Sequence, residues 1–262
     1  ALQSQKHTVA MTGDGVNDIL ALKDADCSVA MASGSEATAQ AAQIVLLDSD
    51  FSRMPEIVLE GRRVVNNVQR SASLFLVKNL FSLLLTIFST VLMISYPLMP
   101  SQVSLISMFT IGIPGFLLAL EPNKSRIKGH FLGNVLLKAL PAGLTDFFAV
   151  SALVICGHVF NIPSTDIATA STLLIAVVGF MIMIKISHPF NNFKYGILAL
   201  NIFGLIFCGL FLDNLFAMSD MSNICILLTI VFGFAAESMF RYITIFVEFI
   251  QNRMRKKKNA LR

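Results

Sequence analysis

The chain has 262 residues, 55% of them hydrophobic and 14% charged, with mean hydropathy +0.72 and formal net charge +4. Soluble domains run at roughly 45–50% apolar and about 25% charged residues, so an ordinary soluble enzyme is excluded over most of this length. Four scattered cysteines, Cys27, Cys156, Cys208 and Cys225, lack the close spacing of a zinc site or a disulfide framework.

Residues 1–54 read as part of an α/β domain. The apolar run 7–11 predicts a buried parallel strand, followed by the turn Thr12-Gly13-Asp14-Gly15-Val16-Asn17-Asp18 and a helix starting at Ile19. Further strands are predicted at 27–31 and 44–47, with a helix over 35–42 between them and Gly34 making the turn. Open α/β sheets place their ligands at the carboxyl ends of the strands, which is where the 12–18 turn falls. Gly13 and Gly15 let backbone approach a phosphate without a Cβ in the way. Asp14 suits Mg²⁺, a hard cation that takes one or two carboxylates together with phosphate oxygens. Asn17 offers an amide, and Asp18 is placed to cap the helix or to orient a neighbour. In isolation such a turn would more often only cap a helix.

Residues 55–70 alternate Ile57, Val58, Val64, Val65 and Val68 with Glu60, Arg62, Arg63 and Arg70, the pattern of an amphipathic stalk helix. Six apolar stretches follow, at about 71–94, 101–120, 135–159, 169–186, 195–212 and 224–246, each near the roughly 20 residues that cross a bilayer. The second connection carries Lys124, Arg126, Lys128 and His130, and Lys185, His188 and Lys194 flank the fourth. The tail 251–262 is basic, whereas the third and fifth connections carry Asp166, Asp213 and Asp220. The positive-inside rule then puts the soluble part and the tail in the cytoplasm.

Polar residues inside such spans are candidates for an ion pathway. The first span has Lys78, Asn79, Ser82, Thr86 and Ser89, with 78, 82, 86 and 89 forming a stripe. The second has Ser104, Ser107, Thr110, Gly112 and Pro114; the proline frees the Thr110 carbonyl beside a hydroxyl face. Asp146, in the third, either pairs with Lys138 or serves transport, and Glu237 with Arg241 reads as a structural pair. Glu121 sits at a helix end as an interfacial carboxylate or a guard of the pathway. Lys78 either snorkels to the interface or stands in the pathway with Asp146 as its partner.

The run 12–18, then Ala21-Leu22-Lys23-x-Ala25-Asp26, Val29-Ala30-Met31, Ile44-Val45-Leu46-Leu47-Asp48 and Glu60-Gly61-Arg62, resembles the hinge segment of P-type ATPases. That resemblance implies a partial haloacid-dehalogenase-like α/β fold followed by an all-α bundle of six transmembrane helices. The domains expected are 1–54 from the phosphorylation domain, 55–70 stalk, 71–250 membrane and 251–262 tail. It implies phosphoryl transfer from ATP to an aspartate, Mg²⁺ and ATP as cofactors, and catalytic roles for Thr12, Gly13, Asp14, Asn17 and Asp18, with Thr12, Gly13, Asp14 and Gly15 on the phosphate and Mg²⁺. The implied partners are a transported cation, the bilayer of the cell membrane and the amino-terminal remainder of a pump, with no nucleic acid. Residues 105–123 look most like a bacterial branch linked to calcium transport. Against calcium-pump-like members of the family, Asn79 and Thr110-x-Gly112-x-Pro114 match, while Ser82, Ser107 and Ile111 stand where those pumps have acidic or amide ligands. Lys78-Asn79 is similar to the gastric proton/potassium pump, where the lysine is a built-in counter-ion. The ion pathway expected is Lys78, Asn79, Ser82, Ser107, Thr110 and Asp146. Ala1 falls mid-domain, so the chain reads as a carboxyl-terminal fragment, inactive alone as an ATPase.

Overall fold

The computed structural model describes residues 2–127 and 129–260, with side chains through Arg253. Lys128 and the basic side chains of Arg255, Lys256, Lys257 and Lys258, on which part of the charge argument rests, lie outside the described residues. The chain divides into two compact units after Gly61.

The first unit is a three-stranded parallel sheet, β1 (Ala10–Gly13), β2 (Cys27–Met31) and β3 (Ile44–Leu46), in the order β1-β2-β3. The helices α1 (Ile19–Asp24) and α2 (Glu36–Ala41) make the two crossovers that parallel pairing demands. Val29 and Ala30 are fully buried, as are Leu22 on α1 and Thr38 on α2. The first strand runs later than the predicted 7–11. The Val9 N–H is taken by the Asp26 carboxylate at 2.8 Å. The paired ladder therefore begins at Ala10 and carries Thr12 and Gly13 opposite Val29 and Ala30. The turn proper starts at Asp14.

Six helices are long and apolar enough to cross a membrane among the described residues, as predicted. The first, α3 (Met54–Val91), covers the predicted stalk and first span without a break. The second span is α4 (Pro100–Ser107), a π-helical turn at Met108–Gly112, and α5 (Ile113–Ala119). Then come α6 (Phe131–Val159), α7 (Ser164–Ser187), α8 (Asn192–Phe211), the short α9 (Asp213–Phe216) and α10 (Asn223–Ala260). Leu74 and Val77 on α3, Ala139, Ala142 and Leu153 on α6, and Leu174, Val178 and Ile182 on α7 form one buried cluster. Glycines set the close approaches. A Cβ on Gly143 would stand 2.8 Å from Leu80 Cδ2, and one on Gly179 would stand 2.7 Å from Thr110 Cγ2. The most apolar stretch of α7 is 72% buried inside the bundle and that of α10 only 11%, so the described residues leave most of the apolar surface of α10 uncovered.

Several expected placements change. Asp166 is not in a connection but in the first turn of α7, buried, where its Oδ2 accepts the Ser222 N–H at 2.9 Å. The turn's unsatisfied N–H groups favour a carboxylate there. Glu237 and Arg241 are both exposed and make no ion pair among the described residues, as fits the small gain from a solvated i,i+4 pair. Lys138 and Asp146 do not pair either; eight residues of helix separate them by about 12 Å along the axis. Glu121 pairs with the buried Lys194, Nζ to Oε2 at 3.0 Å, and accepts from Asn191 Nδ2 at 2.6 Å.

Candidate functional site

In the first unit the candidate site is the turn after β1. Asp18, at the end of a 3₁₀ turn (Val16–Asp18), folds back so that Oδ2 accepts the N–H groups of Asp14 at 3.3 Å and Gly15 at 3.2 Å. It makes no side-chain cap on α1, so of its two expected roles the structure shows orientation of the loop. A Cβ on Gly13 would lie 2.6 Å from Asp18 Cβ, which explains the glycine as room for that carboxylate. The Asp14 carbonyl accepts the Ser35 N–H at 2.9 Å, and Ser35 caps α2 by accepting the Thr38 N–H at 3.1 Å. Gly34 therefore does more than turn the chain: any Cβ there would collide with the Asp14 carbonyl. Sequence reasoning missed this contact; its one signal was a glycine just before a helix.

With its backbone held on both sides, Asp14 presents an exposed carboxylate that has no protein donor among the described residues. Thr12 and Asn17 likewise keep their side-chain hydrogen-bonding groups uncommitted. A rigidly mounted, unpaired carboxylate fits Mg²⁺, whose remaining positions take water and phosphate oxygens.

In the second unit Lys78 and Ser82 of α3, Ser107 of α4, Thr110 of the π turn and Asp146 of α6 line one cavity of about 40 Å³. Five of the six expected pathway residues are thus brought together. Asn79 is the exception: it is exposed on the far side of α3, one residue and about 100° round from Lys78. Thr86 also faces outward, and the inward stripe of α3 runs Lys78, Ser82, Leu85 and Ser89. Asp146 is 2% exposed and its Oδ1 has no hydrogen-bond partner. It forms no ion pair with Lys78 at 4 Å or less among the described residues. The hydroxyls of Ser107 and Thr110 donate back to the carbonyls of Val103 at 2.6 Å and Ile106 at 2.8 Å. Their lone pairs stay free to accept or to ligate. Pro114 does not simply kink the helix; the chain widens into the π turn, with the Ile113 N–H reaching back to the Met108 carbonyl. Such turns concentrate at functional sites. The cavity thus gathers a buried carboxylate with an unpartnered oxygen, a lysine and three hydroxyls.

Two comparisons bear on this geometry. A family model for haloacid dehalogenase-like hydrolases matches residues 1–52. The chain is 38% identical over 218 residues, 80% of its length, to a probable cation-transporting ATPase of Streptococcus pneumoniae, of which that covers 28%. It is 42% identical over 205 residues, 73% of its length, to a calcium-transporting ATPase of Mycolicibacterium smegmatis, covering 26% of that protein. The chain is similar to part of these cation-transporting ATPases. A calcium-transporting ATPase of Bacillus subtilis is 34% identical over 122 residues, 46% of this chain and 14% of that protein. The chain thus spans about a quarter of the length of the first two curated ATPases. In this ATPase relative the α/β unit carries the carboxylate loop, and the membrane bundle carries the buried cavity.

Proposed function

We propose that the chain is part of an ATP-driven P-type cation pump of the cell membrane, moving calcium or another divalent cation through the cavity around Asp146. The observation that carries this reading is the unpartnered Asp146 carboxylate, held with Lys78, Ser82, Ser107 and Thr110 between helices long enough to span a bilayer. The relatives' names, cation-transporting and calcium-transporting ATPase, support it.

In the first unit Asp14 would hold Mg²⁺, whose charge would stabilise phosphoryl transfer from ATP to an aspartate elsewhere in the pump. Asp18 and Gly34 fix the Asp14 backbone, and Thr12 and Asn17 supply a hydroxyl and an amide to phosphate oxygens. The soluble unit and the tail lie in the cytoplasm, because Lys124 and Arg126 stand in the second connection and Asp213 and Asp220 at the opposite ends of the spans.

A second reading, a monovalent cation, is favoured by the single carboxylate and the lysine that share the cavity. The size of the cavity, about 40 Å³, argues against an extended polyamine, since one water needs about 10–15 Å³ on the same measure. The test is ATPase activity of the full-length protein across Ca²⁺, Mg²⁺, Mn²⁺, K⁺ and polyamines. Stimulation by Ca²⁺ or Mn²⁺ that Asp146→Asn removes supports the pump. No stimulation by any cation, with no upstream Asp-Lys-Thr-Gly encoded, would leave a non-catalytic membrane subunit.

A further inference from the structure

The second unit contains another polar pocket, of about 320 Å³, lined by Arg70 of α3, Arg126 of the second connection and Lys138 of α6. Gln69, Asn134 and Gln251 add amides, and among the described residues no carboxylate lines it. We propose that this pocket binds a phosphate-bearing anion, the headgroup of an anionic phospholipid at the membrane surface.

Position, charge and unmet bonding support this. Lys138 stands near the start of α6, Gln251 near the end of the apolar part of α10, and Ile186, also in the lining, is the penultimate residue of α7. The pocket is therefore at the end of the bundle, where headgroups lie. Arg70 is 8% exposed and spends one N–H on the Leu118 carbonyl at 3.0 Å, leaving the rest of a five-donor fork. Gln69 is equally buried and makes no side-chain hydrogen bond among the described residues. Lys138 has neither an ion pair nor a hydrogen bond there. The carboxylates nearby are committed elsewhere: Glu121 to Lys194 and Glu248 to Lys185, each at 3.0 Å. Asn66 donates to the carbonyls of Asn123 and Ser125 at 3.0 and 2.9 Å, fixing the loop that forms one wall. The buried Arg70 shares this lining with the exposed Arg126 and Lys138, and Arg and Lys bind phosphate oxygens by charge-assisted hydrogen bonds. A volume of this order is that of a small-ligand cleft.

The experiment uses the full-length protein in phosphatidylcholine nanodiscs doped with phosphatidylglycerol, with retained lipid counted by native mass spectrometry. Wild type is expected to retain phosphatidylglycerol in preference to phosphatidylcholine. Arg126→Ala and Lys138→Ala each lower that retention about fivefold. Lys138→Arg restores it, and Lys124→Ala, which removes a charge outside the pocket, leaves it unchanged. A second arm adds inorganic phosphate to detergent-solubilised protein. Phosphate binding lost in Lys138→Ala, without selective lipid retention, assigns the same pocket to a soluble phosphate. Equal losses in Lys124→Ala and Lys138→Ala, or no anion selectivity in either arm, overturn the proposal. Lipid and phosphate counts are read without turnover, so this outcome is separate from that of the pump reading.

Discussion

The carboxylate of Asp18 is bonded to the backbone N–H of Asp14, 3.3 Å away, and not to the helix that follows it. One carboxylate thus aims the other. Asp14→Asn keeps the shape of the loop and removes the charge that would hold Mg²⁺. Mg²⁺-dependent ATPase activity of the full-length protein should fall by at least about 100-fold while the fold persists. Near-normal activity in the mutant, read in a coupled phosphate-release assay, would remove Asp14 from the mechanism.

Gly34→Ala should destabilise the first unit by about 1–3 kcal/mol, because the new methyl meets the Asp14 carbonyl, a backbone atom that cannot move aside cheaply. Gly61→Ala is the control. Nothing lies within 4 Å of its would-be Cβ, and a helical Gly-to-Ala change should stabilise by up to about 1 kcal/mol. Thermal unfolding of the two variants should move in opposite directions.

Lys78→Ala should make turnover depend on an added monovalent cation or on protons, and Lys78→Arg should stall it, because Lys78 lines the cavity of Asp146. Asn79→Ala, on the outer face, should change neither. Ion titrations of ATPase activity decide. An unchanged ion dependence in Lys78→Ala, with normal expression, makes the lysine an interfacial anchor.

Cysteine introduced at Ser125 should be shielded from membrane-impermeant reagents in intact cells, whereas Asp220→Cys should be labelled. Labelling at 125 from outside would reverse the orientation drawn from the charged connections.

Asp26 holds the start of β1. Its carboxyl lies below the usual aspartate range because the Val9 N–H, and then the Gln3 amide, bond to it. A lowered folded-state value means that its stabilisation is present above the unfolded value, near pH 4, and is lost as pH falls through the lowered one. At pH 7, Asp26→Ala should speed amide exchange across the first strand, and acidification to about pH 3 should narrow the gap between the variant and wild type. An equal gap at both pH values would show that the Val9 bond does not depend on the charge of Asp26.

Much of this was legible from residue pattern. Short β-branched runs bounded by glycine became the three strands, and apolar runs of bilayer length became six helices, because burial and span length act on whole segments. What escaped was rotation and register. The period of α3 puts 78, 82, 86 and 89 near one stripe, yet the angular drift of a straight helix carries Thr86 out and Leu85 in. The position of Asn79 depends on which neighbours close around α3, and a single helix does not encode that. Pro114 announces a missing donor, but not whether the backbone kinks or widens; the structure shows the π turn, with Thr110 packed close to Gly179 of α7.

The π turn at Met108–Gly112 closes on a bond five residues long, so it stores one residue more than an ordinary turn. Passing that residue along the helix costs no change in length at either anchored end, but it turns the segment in between by about 100°. Ser107 and Thr110 sit at that slack point. A backbone with one spare residue can therefore offer its hydroxyls to the cavity and withdraw them by screw motion alone, without tilting the helix or parting it from α7.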